Sequence, residues 1–167
     1  DTSRVAGEWT VKDLAGHIAD WEREAIEHVR AMLEGRPAVS DFAGDYEAWN
    51  RARHAERAGQ SWETAWHDFR ASRRDLLALL QGFDDPSLAT EYPDDRMQRP
   101  YGWFFMAVDH DREHTTDLRR LFELRTPVQP VWLPATFHPG WKVVSSSSLY
   151  PFRSCCSINN TSRKSLC

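Results

Sequence analysis

The 167-residue chain has the length of one domain and, with eight Trp and eight Phe, ample bulky material for a core, but no apolar run long enough to span a membrane. Its net charge of −4 conceals an asymmetry: residues 127–167 hold Lys142, Arg153, Arg163 and Lys164 and no acid, a charge of +4, so residues 1–126 carry −8. An acidic body lacks the basic face that binding to nucleic acid requires.

The opening "DTSRVAGEW" is polar and carries no signal peptide; without an initiator Met, it reads as the start of a fragment. The first strong element is "WTVKDLAGHIADWEREAIEHVRAMLEG". Thr10 with Asp13 is a capping-box variant, and Leu14, Ile18, Trp21, Ala25, Val29 and Met32 follow at helical spacing. Gly35 and Pro37 stop this helix, which at ~24 residues would run about 36 Å. A shorter helix in "DYEAWNRARHAERAG" ends at Gly59. The next begins at the N-cap Ser61 and ends with Gly82 as its C′ residue, and its predicted buried side is Trp62, Trp66, Phe69, Leu76 and Leu80. The arginines of "RASRRD" are expected on a solvated face. "DDPSLATEYPDDRMQRP", with three prolines, reads as a loop whose acids serve as loop and cap residues. The last helix spans Tyr101 to Leu124. No segment alternates convincingly with period two, so the expected class is all-α, an antiparallel helical bundle over residues 1–126.

From residue 127 the character changes to prolines, four consecutive serines and no helical period, the composition of an irregular, disordered tail. Cys155, Cys156 and Cys167 all lie in it, so the body has neither a disulfide framework nor a cysteine nucleophile, which fits a reducing cytoplasm. Asn159-Asn160-Thr161 matches a glycosylation acceptor only formally.

On a helical wheel Trp103, Ala107, His110, His114, Asp117 and Leu121 share one band, with Arg112, Arg119 and Glu123 pointing away. Two histidines one turn apart thus face inward. A single inward histidine is usually a satisfied core residue. Two together bury much polar material, which costs free energy without partners, and one metal ion would satisfy both. A mononuclear site wants a third protein ligand. His17, between Leu14 and Trp21 at the edge of the first helix's apolar stripe, is the candidate. His28 lies about three turns further along and cannot share that site. His54 and His67 are expected in charged, solvated surroundings, and His138 falls in the tail.

"EWTVKDLAGHIADWE" and "DHDREHTTDLRRL" resemble two helices of the DinB-like (YfiT-like) helical-bundle proteins, and "DYEAWNRARHAER" resembles the connecting segment of their ClbS/DfsB branch. The similarity covers about Glu8 to Leu124. It implies that His17, His110 and His114 bind one divalent ion, zinc or nickel. It also implies an activity of the family's kind: transfer of a low-molecular-weight thiol to an electrophilic small molecule, or hydrolysis of a reactive one, in detoxification or stress. A three-histidine metal with open positions could hold a thiolate or activate water. A further helix normally precedes this motif, whereas here eight residues precede Trp9, so the resemblance implies a bundle lacking its first helix. A homodimer is a compatible assembly. Losing one helix would expose a long apolar groove, part of which Val131, Trp132, Leu133 and Phe137 could cover.

Two other readings stand beside this one. His110, Glu113 and His114 spell H-x-x-E-H, the inverted zincin motif, but no acid follows Glu123 to serve as third ligand. The bundle could instead sequester a toxic small molecule between Trp21, Trp103 and Phe104 without catalysis, or be an inactive truncated relative with merely buried histidines.

Overall fold

Thr10 opens the first helix as its spacing predicts: its hydroxyl accepts from the Asp13 amide at 3.2 Å, and the Asp13 carboxylate accepts from the Thr10 amide at 2.9 Å. In the computed structural model, which describes residues 4–6, 9–40, 42 and 44–122, this helix (α1) is Val11–Glu34 and closes on Gly35 in the left-handed region at φ 63°. Before it, β1 (Arg4–Ala6) pairs antiparallel with β2 (Trp9–Thr10). This small hairpin is too short for alternation to reveal. Helix α2 is Tyr46–Arg57, capped by Asp45, and α3 is Trp62–Gln81, capped by Ser61. Gly82 ends α3 at φ −78°, right-handed rather than the left-handed C′ glycine expected. One turn of helix, α4 (Asp85–Leu88), forms inside the predicted loop because Asp84 and Ser87 build their own capping box. Helix α5 is Pro100–Phe122, with proline at a first-turn position where its missing amide costs nothing. Glu123, Leu124 and the whole 127–167 segment lie outside the described residues.

The chain is mostly helical, as expected. Helix α1 is its axis: α2, α3 and α5 each pack along it. The core forms where three helices meet, from Ala25, Ile26, Val29, Met32, Leu76, Trp103, Phe104 and Ala107. Each large side chain buried there contributes about 1.5–3 kcal/mol.

Two expectations for α3 hold only in part. Of its predicted buried side Leu76 is buried and Leu80 packs half-buried against the core, and Ala65 and Ser72 are buried besides. Trp62 instead stacks on Trp66, which packs at a tilt against Phe69, and Trp66 is 41 % exposed. Periodicity identified an apolar stripe but not whether another element covers it. Arg73, assigned to a solvated face, braces the fold. Its Nε donates to the buried Glu22 of α1, and its two terminal nitrogens donate to Asp111 of α5 at 2.6 and 2.7 Å. Ser72 donates a further bond to Glu22 at 2.5 Å.

The stretch after α4 is tied down by a second ion cluster. His28 Nδ1 lies 2.5 Å from the Asp95 carboxylate and its Nε2 3.3 Å from Glu24, with the ring stacked on Trp103. Asp95 also accepts from the Trp103 indole at 2.9 Å and the Met97 amide at 2.8 Å, so it is a structural anchor rather than a simple loop acid. Burial opposes protonation of His28, but the hydrogen bonds and charges of Asp95 and Glu24 outweigh it and raise the pKa to about 9. Folded pKa thus exceeds the ordinary 6.5. The ion cluster should stabilise fully below pH 6.5 and lose its contribution as pH rises through about 9. Melting temperature should therefore fall between pH 6.5 and 9.5, and His28→Leu should flatten that slope. An unchanged slope in the variant would refute the assignment.

Candidate metal centre

His17 stands on the second turn of α1, in the register the Thr10 cap sets, and His110 and His114 stand one turn apart on α5. Packing α5 along α1 brings the three rings together. The Nε2 atom of His110 lies 3.0 Å from His17 Nε2 and 3.0 Å from His114 Nε2. One nitrogen from each ring falls within 4.8 Å of the others, and all three residues are buried. Ligands held about 2.1 Å from a shared ion stand roughly 3–3.5 Å apart, so the spacing fits a metal.

Electrostatics favours the same use. Burial holds His17 well below the ordinary imidazole range, reinforced by the neighbouring His110 and His114 and by Arg57. His110 is depressed likewise, by burial and then by His114 and Arg73. Burial also lowers His114, although Asp117, 3.6 Å from its Nδ1, pulls the other way. Neutral imidazoles keep the lone pair that a metal needs. Asp117 sits where a carboxylate orients a ligating ring.

The cluster is walled by aromatic side chains. Trp9 meets His17 edge-on at 4.9 Å and is stacked on its other side by His54 at 5.0 Å. His54 is therefore not a solvated residue: it is half-buried against Trp9, 3.5 Å from Asp13. A cavity of about 10 Å³, room for about one water, lies beside His17 among Trp9, Asn50, His54 and Arg57. Arg57 reaches it across α1, bonded to Asp20 at 2.7 and 2.5 Å and to Asp68 at 3.1 Å. Gly16 permits that crossing, since a Cβ there would stand 2.8 Å from the Arg57 chain. On the other flank Trp21 lies 6.2 Å from His110 and joins Trp49, Tyr46 and Phe42 in one aromatic group.

The three histidines singled out by position are thus the three brought together. His28 belongs to the separate Asp95 cluster, His67 is exposed, and His138 lies outside the described residues. The partner of the His110–His114 pair is a third histidine, not the acid that an inverted zincin would supply. Glu113 remains on the exposed margin, its carboxyl pushed up by burial and by Asp109 and Asp117. His54, Trp9 and Asn50 escaped the sequence. The one available signal was the helical offset placing His54 and Arg57 on the same side of α2.

Fold and site together define a helical bundle whose two principal helices close on a buried three-histidine cluster compatible with a metal ion. Residues 1–118 match the family model of the DinB superfamily, and the chain belongs to that superfamily. Neither a curated protein nor a solved structure matches it. No helix among the described residues is long and apolar enough to cross a membrane.

Proposed function

We propose that the protein is a metal-dependent enzyme acting on a reactive small molecule, with His17, His110 and His114 holding one divalent ion, zinc or nickel. The convergence of three buried imidazole nitrogens carries this reading. When bound, the ion supplies Lewis acidity that holds a low-molecular-weight thiol as thiolate or activates water near neutral pH. The chain's own part is to present three neutral imidazoles, to orient His114 through Asp117, and to exclude bulk water with Trp9 and Trp21. The aromatic group around Trp21 suits an apolar or aromatic electrophile. The resemblance of residues 45–57 to the ClbS/DfsB branch and a cytoplasmic setting, suggested by the cysteine-free body, accord with inactivation of a toxic compound by thiol transfer or hydrolysis.

That same aromatic group supports a second reading, sequestration without chemistry. Metal analysis separates the two. The purified chain should carry one equivalent of divalent metal, and His110→Ala should carry none while keeping its helical spectrum. Protein that stays metal-free after incubation with zinc or nickel, yet still binds aromatic compounds, would overturn the enzymatic reading in favour of sequestration.

A further inference from the structure

An imidazole presents its nitrogen at a fixed point only when something outside the ligand set holds the ring. For His114 that neighbour is Asp117, 3.6 Å from Nδ1. A different group bears on His17. Its ring meets the Trp9 indole at 87°, with centroids 4.9 Å apart. Edge-to-face contact is a favoured geometry for two aromatic rings, and it fixes the tilt of one against the other. An aliphatic wall would leave that tilt free.

Trp9 is itself firmly mounted. Its backbone lies in β2, paired with Ala6 of β1, and immediately precedes Thr10, the cap of α1. Against the indole, His54 of α2 stacks nearly parallel, at 13° and 5.0 Å. His54 Nε2 lies 3.5 Å from Asp13, whose carboxylate also accepts from the Thr10 amide and hydroxyl at 2.9 and 2.7 Å. One buried acid thus serves both the start of α1 and the seat of His54. Helix α2 is in turn pinned to α1 at points away from the indole. Arg57 donates to Asp20 at 2.7 Å, the Lys12 ammonium to the Arg57 carbonyl at 3.4 Å, and the Trp21 indole to Asn50 at 3.0 Å. His17, Trp9 and His54 border the same small cavity.

We infer that Trp9 and His54 are positioning residues for His17: the indole, seated by the His54 imidazole, fixes the His17 ring with Nε2 turned toward His110, 3.0 Å away. The consequence for metal binding rests on the proposed metal centre, whereas the ring orientation does not. Because the seat works by stacking, another flat ring should replace either side chain in large part. The charge of His54 is not required.

The test uses the full chain with isotope-labelled histidine, first free of metal. The His17 ring should give one sharp set of resonances, displaced by the indole. In Trp9→Ala these should move back and broaden, and in Trp9→Phe they should stay sharp. His54→Ala should broaden them in part, and His54→Phe should restore them. Zinc is then titrated against a chelating dye, and cobalt(II) absorption is read as the signature of ligand geometry. Trp9→Ala should lower zinc affinity roughly tenfold or more and alter the cobalt spectrum, while Trp9→Phe recovers most of both. Unchanged His17 resonances in Trp9→Ala would overturn the inference, as would native zinc affinity together with a native cobalt spectrum in that variant. Should Trp9→Ala lose its helical spectrum, His54→Ala decides by the same readings, since that side chain is 34 % exposed and lies outside the hairpin. Were His54→Phe to behave like His54→Ala, the contact with Asp13 rather than stacking would seat the indole, and the inference would fall. A native chain that takes up no metal would remove the enzymatic reading alone, because the metal-free resonances still decide the orientation of His17.

Discussion

Adding zinc to the metal-free chain at a hundredfold excess over its dissociation constant is expected to raise the melting temperature by about 5–10 °C. Ligand that binds only the folded state stabilises it by about 2.7 kcal/mol under those conditions. A domain of this size shifts by roughly 2–4 °C per kcal/mol. The coupling is direct because the ligands come from α1 and α5, 93 positions apart between His17 and His110, so the site exists only when those helices are docked. Without metal, the cluster is an acid-sensitive weakness. The buried imidazoles are held below 6.5 in the folded state, so the unfolded chain takes up more protons once pH falls below that value. Stability of the metal-free protein should therefore decline from about pH 6.5 downward. A calorimetric scan with and without zinc, on the native chain and on His110→Ala, checks the first expectation. An equal rise in the variant would mean that zinc binds elsewhere.

Arg73→Ala should be the most damaging single substitution outside the histidine cluster, costing about 3–5 kcal/mol in urea denaturation, because it strands a buried charge. Glu22 is 1 % exposed, and its carboxyl is pushed up by burial even with Ser72 and Arg73 beside it. Removing the guanidinium leaves that carboxylate without its countercharge and releases Asp111 from α3. The loss should shrink in acid, since a protonated Glu22 is far cheaper to bury. Arg73→Lys should fall between, keeping the charge but not the fork that joins Glu22 and Asp111 at once. A cost for Arg73→Ala below about 1 kcal/mol would show that the brace contributes no more than a surface ion pair.

What the sequence revealed, and what it hid, follows from the range of the interactions. The caps at Thr10 and Ser61 and the stop at Gly35 are local, so short spacings disclosed them. The histidine cluster was legible because His110 and His114 share a turn and His17 lies on the facing stripe of its own helix. Pairings over long separations were not. Arg73 with Glu22, Asp95 with His28 and His54 against Trp9 each join residues that no periodicity relates. Trp62 and Trp66 misled for another reason: an apolar stripe has the same spacing whether or not a neighbour covers it. The hairpin before α1 depends on backbone pairing of two very short strands, to which hydrophobic patterning is blind at such lengths.

Helix α1 turns His17 one way, toward α5 and the α2 side, and Glu22 another, toward α3. The histidine cluster and the ion-pair brace therefore share a single rod but few side chains. Substitutions confined to the outward edge of α3 could drift, or be redesigned, without disturbing the three imidazoles. Evolution could in this way alter that surface while leaving the imidazole cluster untouched.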